Sequence, residues 1–494
     1  MTGARSASNI ECSFSLRVKR GSATKSSPGE VLGNTQRFVQ ARFVTRPCSL
    51  STMSDSTSNP DRLNGLAALA PEPDAARDAT TTQPSGTLYG GAQRFKEGTF
   101  AKLGEQVHTF FGRHVDSDDA FVACFGVPTS ASVASLRDRL RGSLQRAPLE
   151  DVRVDFEDGY GPHDDQEEDA HAVLVGEAFA ERRGSVWPTR VGIRVRSLES
   201  ATAKRALRTL ALVVDTMVAR GWRPGREPFR VTIPKVTHLQ EIAMAARALE
   251  RLEADHGLPD KSFVLEAMVE TPDAFLDREG RVPIVVWPSM ARGRMSALHF
   301  GAFDYLSSIG VPAGSQSLDH PACLHARALL ALVATRAHVE VSDGTFLEIP
   351  VGPHRDATNG SLEEGENQEV VARALRHHAG RVRRQLAEGF AQGWDLHPGQ
   401  VVSRRAAVLM AYVEGRDEVL RRMNAFLVAG ARAARSGTSF DDAASARSLL
   451  ATLRSGIKLG LDDADLVAAF VGLEVDDLMR APLLELPKRL RRAP

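Results

Sequence analysis

Cysteine is scarce: Cys12, Cys48, Cys124 and Cys323 are the only four in 494 residues, far apart and with no CxxC pair. That excludes a disulfide framework or a zinc cluster of the usual spacing and suits a reducing compartment. Net charge is missing too, since 62 Lys and Arg balance 62 Asp and Glu. The chain lacks the long-range field that phosphate-tracking proteins use, so no nucleic-acid partner is expected. Apolar runs fall short of the roughly 18 to 20 residues of a membrane span. Even Leu329–Val333 is closely flanked by Arg327 and Arg336, so no membrane partner is expected. Neither GxGxxG nor GxxxxGK[ST] occurs, which removes the usual phosphate-cradling loops. What is present, 43% hydrophobic and 25% charged residues, is the balance of a folded protein able to bury a sizeable core.

Residues 1–86 are rich in Ser, Thr, Pro, Gly and Ala, without apolar periodicity, and read as a disordered segment. Before Met53 the chain carries Arg5, Arg17, Lys19, Arg20, Arg37, Arg42 and Arg46 against only Glu11 and Glu30. This composition suits an organelle transit peptide; equally, Met53 reads as a true start, with a cytoplasmic protein following. Beyond Gly86, β-rich runs alternate with helix-compatible ones, the pattern of parallel βα units. The expected strands are Val107–Gly112, Val152–Glu157, Val191–Val195, Phe229–Pro234, Phe263–Val269, Ser296–Phe300, Val339–Ser342 and Trp394–His397. Eight such units predict a TIM (β/α)8 barrel over residues 87–402; a doubly wound open sheet is the rival, and would usually show a glycine-rich first turn. Residues 403–494 read as a helical extension with no strand signal, in which Leu466, Phe470 and Leu473 form an apolar face that packs within or between subunits.

In a TIM barrel the reacting groups come from the carboxyl ends of the strands. Here those ends are acidic: Asp155, Glu157 and Asp158 after the second strand, Glu270 after the fifth and Asp304 after the sixth. So many carboxylates on one rim repel unless a positive charge sits among them, and a hard divalent cation held by two carboxylates, water and a chelating substrate is the natural occupant. Gly301 would let a ligand oxygen approach the backbone. In the third strand Gly192, Arg194 and Arg196 share a face, so both arginines could clamp a carboxylate or an oxyanion. The same parity puts Glu266 a layer below Glu270, as an inner partner for charge.

Six elements now stand in one order: Asp155-Phe156-Glu157-Asp158, Ile193-Arg194-Val195-Arg196, Pro234-Lys235-Val236, Val269-Glu270-Thr271-Pro272, Phe300-Gly301-Ala302-Phe303-Asp304 and Leu396-His397-Pro398-Gly399-Gln400. Together they resemble the citrate lyase β-chain and HpcH/HpaI aldolase superfamily, the phosphoenolpyruvate/pyruvate-binding TIM barrels. Within it the chain is most similar to an uncharacterised aldolase-like branch carrying D-F-E-D-G-Y-G and Q-G-W-D-L-H-P. The resemblance implies a homo-oligomeric, metal-dependent carbon–carbon lyase acting through an enolate of a 2-oxo acid or acyl-CoA. It implies Mg²⁺ or Mn²⁺ on Glu270 and Asp304, with Arg194 on the enolate oxygen. Asp155 would pair with Arg194, Glu157 would bond metal-bound water, and Asp158 would be the acid/base. Lys235 and Gly301 would meet substrate. Three departures weigh against coenzyme A: Arg196 stands where the lyase branch has asparagine, Phe303 replaces a small or acidic residue, and the first strand reads Val107-His108-Thr109-Phe110-Phe111 in place of V-P-G-x-R. Arg196 would suit a second carboxylate or a phosphate, and His108 would replace a lost polar contact.

Blander readings stand beside these. Glu270 and Asp304 also fit acids that open the following helices, Arg194 a structural salt bridge, and Lys235 an ion pair inside the barrel. Asp164, Asp165, Glu167 and Glu168 read as surface charge at a helix start, and His377-His378 as a solvated helix face. His320 and His397 read as rim histidines that orient loops. Two other functions stay open: phosphoryl transfer at phosphoenolpyruvate, and a non-catalytic ligand-binding barrel.

Overall fold

A computed structural model of the protein describes residues 83–126, 132–181, 187–356, 358, 360–430, 434–436 and 439–490. The readings made of residues 1–82 lie outside the described residues. Eight strands pair in sequence order, all parallel: β1 (Gly86–Gly91), β2 (Asp151–Asp155), β3 (Arg190–Arg194), β4 (Phe229–Ile233), β5 (Phe263–Val269), β6 (Met295–Phe300), β7 (Glu340–Thr345) and β8 (Gln392–Asp395). β8 then pairs with β1 and closes the sheet, so the fold is a TIM barrel. Helices follow the strands, and the outward residues of β5, Phe263, Leu265, Ala267 and Val269, are buried beneath them. No helix among the described residues is long and apolar enough to cross a membrane.

Seven of the expected strands lie within a few residues of those found, and the first does not. Val107–Gly112 belongs to the helix Thr99–His114, whose buried residues Phe100, Gly104, Val107 and Phe111 recur every three or four positions. Its β-branched and aromatic content outweighed that period in the sequence reading. His108 is therefore helical, and the departure assigned to the first strand falls away. The true β1, Gly-Thr-Leu-Tyr-Gly-Gly, begins inside the segment read as patternless. Its glycines weaken the strand signal but serve a close approach: a Cβ on Gly91 would stand 2.1 Å from the carbonyl oxygen of Gly159. Gln83 Nε2, just upstream, donates to the Val341 carbonyl at 2.7 Å.

The barrel interior is layered. Lowest lies a buried polar layer in which Arg153 pairs with Asp151 and, at 2.8 and 2.5 Å, with Glu266. Thr232 Oγ1 also donates to Glu266 at 2.7 Å, so Glu266 is the inner charge partner its parity implied. Two residues further along the strands, or about 6.6 Å, Tyr89, Met268 and Trp394 form an apolar cluster. Tyr89 and Trp394 stack with centroids 4.9 Å apart. Above this floor the strands end in the charged rim.

Behind the β8–β1 seam, Asp395 receives Arg404 at 2.9 Å and lies 3.3 Å from His378. His378 is buried, against the solvated-face reading, while its neighbour His377 is exposed and meets Glu348. The helix Pro398–Val428 runs through residue 402. Its first half packs in the barrel core, and Leu420, Met423, Phe426 and Leu427 join a second core with the helices Ala443–Lys458 and Ala464–Val471. Between these helices stand two short antiparallel strands, Ala434–Ser436 and Ser439–Asp441, where no strand was expected. Three-residue polar strands carry no alternation to read. Leu473 is buried in the second core, whereas Leu466 and Phe470 are exposed.

Candidate active site

The strand ends of the barrel surround a cavity of about 310 Å³. Asp155, Asp158, Arg194, Glu270, Gly301 and Asp304, six of the nine residues singled out in the sequence, line it. They come together because each sits at, or just beyond, the carboxyl end of its strand.

Arg194 is the hub. It is 5% exposed; Nε and Nη2 hold Asp155 at 2.7 and 2.5 Å, while Nη1 lies 3.2 Å from Glu157 and 3.7 Å from Asp158. Its guanidinium stands 5.4 Å from the centre of the Tyr89 ring. Asp155 pairs with Arg194 as expected, and it also accepts the backbone N–H groups of Glu157 at 3.0 Å and Gly159 at 2.7 Å. With four donors on one carboxylate, Asp155 positions Arg194 and the loop after β2.

Lys235 bridges the acids. Its ammonium contacts Glu157, Asp158 at 3.0 Å and Asp304 at 3.7 Å, and its backbone N–H donates to Glu270 Oε1 at 2.6 Å. The residue has φ +50°, a left-handed conformation costing about 1–3 kcal/mol in a non-glycine residue, which these contacts hold in place.

Glu270 is 1% exposed, and its Oε2 has no hydrogen-bond partner. A Cβ on Gly301 would stand 2.0 Å from that oxygen, so glycine is needed there for room, its φ of −92° being ordinary. Burial, then repulsion from Asp304, push the Glu270 carboxyl up to about 8 against the pull of Arg194 and Lys235. Burial raises Asp304 as well, with Lys235 opposing and Asp158 adding to the rise. Burial also takes Glu157 up to about 6 despite Arg194. Asp158 behaves oppositely: burial lifts it, but the hydrogen bond with Glu157 and the charges of Arg194 and Lys235 outweigh that and hold it below the usual range. Two cations thus serve five carboxylates, and buried Glu270, beside the partly exposed Asp304, is left short of positive charge. Among the described residues no group of three or more His, Cys, Asp or Glu is arranged to hold a metal.

Arg196 is not brought to the cavity. β3 ends at Arg194, so the shared-face parity stops there. Arg196 instead reaches Glu168 at 2.9 Å and lies over the Tyr160 ring at 5.8 Å. Glu168, read as surface charge, is buried between Arg196, Arg205 and Thr209. Arg196→Ala is therefore expected to cost about 1–3 kcal/mol in denaturant unfolding, by stripping a charged hydrogen bond from a buried acid. Ligand binding in the cavity should be little changed. His320 and His397 cap the helices Pro321–Ala337 and Pro398–Val428 through Nδ1.

Sequence reasoning missed the walls. Tyr89, Thr345, Leu347, Trp394 and Leu396 line the cavity beside Phe303. Tyr89 was hidden with its strand, whereas Trp394 was legible as an alternate, inward position of a recognised strand. His299, on β6, sits below, with Nδ1 3.4 Å from the Tyr89 hydroxyl.

A family model described as a domain of unknown function (DUF6986) matches residues 74–484. No curated protein matches the chain in sequence. Among solved structures, a citrate lyase from Burkholderia xenovorans LB400 is similar at 18% identity, over 77% of this chain and 93% of that one, with TM-score 0.49. RipC from Yersinia pestis is similar at 15% identity, over 52% and 87%, with TM-score 0.34. A malate synthase from Haloferax volcanii, in its magnesium/glyoxylate complex, is similar at 17% identity, over 81% and 98%, with TM-score 0.41. At these identities and TM-scores, the chemistry of this chain has to be read from its own residues.

Proposed function

Because the chain belongs to the DUF6986 family, whose description names no activity, we propose its function from the site: a metal-dependent carbon–carbon lyase working through the stabilised enolate of a 2-oxo acid. The observation that carries this reading is Glu270, a wholly buried carboxyl with one oxygen unpartnered, pressed against Gly301 and raised by its neighbour Asp304. That oxygen, together with the partly exposed carboxylate of Asp304, fits a hard divalent cation, with the remaining positions left to water and a chelating substrate. Glu270 and Asp304 would hold it, and the backbone N–H of Lys235 fixes the other Glu270 oxygen.

When bound, Mg²⁺ or Mn²⁺ supplies the Lewis acidity that polarises a 2-oxo group. The chain's own residues do the rest. Arg194 faces the same cavity and stabilises negative charge gathering on the enolate oxygen. Asp155 keeps that guanidinium in place. Asp158, held ionised at neutral pH and half exposed at the rim, takes and returns the proton. Lys235 orients Glu157 and Asp158. The Tyr89 and Trp394 rings close the bottom of the cavity against water.

The test is proton NMR of pyruvate and, separately, acetyl-CoA in D₂O, with Mg²⁺ and then with EDTA. Metal-dependent loss of the pyruvate methyl signal is the expected result. Loss from the thioester alone would move the substrate class to acyl-CoA, and exchange from neither would overturn the enolate reading.

A further inference from the structure

Two residues that line the cavity each carry a further buried polar atom without a partner. Trp394 is 6% exposed and its Nε1–H, buried, has no acceptor; the buried Thr345 Oγ1 has no partner either. Both side chains line the cavity, and the two residues are cross-strand partners on β7 and β8. They stand together in one wall, with Leu347 and Leu396 beside them and Phe303 also in the lining. An unmatched buried donor is costly, and Arg194 and Lys235 cannot relieve it, being donors themselves. The cavity, about 310 Å³, is also about three times the roughly 95 Å³ that a pyruvate-sized molecule fills at protein packing density.

We infer that Trp394 and Thr345 form an acceptor subsite, donating hydrogen bonds to the carbonyl oxygen of an uncharged, apolar aldehyde whose body lies along Phe303, Leu347 and Leu396. This rests on the enolate reading above and names the second substrate. In the condensing direction the enolate carbon bonds to the aldehyde carbon. The carbonyl π pair moves to the oxygen held by the two donors, and the proton that Asp158 removed from the 2-oxo acid is returned to that oxygen. Cleavage reverses each step. Neutral donors suit the task, because they bind an uncharged carbonyl without adding charge to a wall of apolar groups. An acceptor bearing its own carboxylate would meet no free cation here.

The experiment pairs wild type with Trp394→Phe and Thr345→Val. Phenylalanine keeps a ring to stack on Tyr89 and valine keeps the volume of threonine. With Mn²⁺ and pyruvate present, steady-state aldol formation is measured with propionaldehyde and benzaldehyde and, for comparison, glyoxylate and succinic semialdehyde. The expected result is preference of wild type for the uncharged aldehydes, and a KM for them raised about tenfold in each variant, with a distinctly smaller rise in the KM for pyruvate. Preference for the carboxylated acceptors, or equal rises in both KM values, overturns the inference while pyruvate methyl exchange in wild type upholds the enolate reading. If wild type exchanges no pyruvate protons, that reading fails and the acceptor subsite falls with it.

Discussion

Arg194→Met is expected to lower metal-dependent pyruvate exchange about 10³-fold and to destabilise the protein by about 3–5 kcal/mol. The two losses have different origins. The first follows from removing the cation that faces the developing oxyanion. The second follows because Asp155, 2% exposed, keeps only the backbone donors of Glu157 and Gly159 and becomes a buried charge without a counter-charge. The double variant Arg194→Met with Asp155→Asn separates them. Neutralising both partners should recover most of the stability and none of the exchange, read by denaturant unfolding and NMR. Near-normal exchange in either variant would remove Arg194 from the chemistry and leave it a barrel salt bridge.

That distinction was open in the sequence, and it shows what a linear reading can see. Alternation along β5 correctly placed Glu266, Met268 and Glu270 on one face, because a regular strand obeys a strict two-residue period. The same rule failed for Arg196, which lies two residues past Arg194, where β3 has ended and the chain turns toward Glu168. Parity holds only as long as the hydrogen-bonded ladder does. That Glu270, Asp304 and Arg194 would gather at one rim was legible, because they follow the carboxyl ends of strands, which hydrophobic runs locate well. Tyr89 was not, since its strand is half glycine and draws its burial from distant neighbours such as Arg404 and Gly159. Nor were Arg153 and Asp151, the partners of Glu266 in the lower layer, although parity did place Glu266 itself there. Alternate charged residues in a short strand look solvent-facing until the sheet closes and turns that face into an interior.

Glu270→Gln provides the other large effect, and it needs no substrate. Without metal, the folded protein holds this carboxyl's proton up to about 8, against an ordinary value near 4.5 in the unfolded chain. The associated stability is fully present below about pH 4.5 and is lost as the pH climbs through 8, where the folded state must bury an unpaired negative charge. At about 1.4 kcal/mol per unit the full penalty is about 4–5 kcal/mol. In EDTA at pH 9, Glu270→Gln should therefore unfold several degrees above wild type, and at pH 5 the two should nearly coincide. The repulsion from Asp304 is already part of that penalty. Mn²⁺ should reverse the order. Wild type, gaining a cation between Glu270 and Asp304, should rise at pH 8 to 9, with metal affinity strengthening about tenfold per pH unit below 8 because the proton must leave first. The variant should gain little. A wild type that is no less stable than Glu270→Gln at pH 9 in EDTA, and indifferent to Mn²⁺, would mean that Glu270 caps a helix and binds no ion.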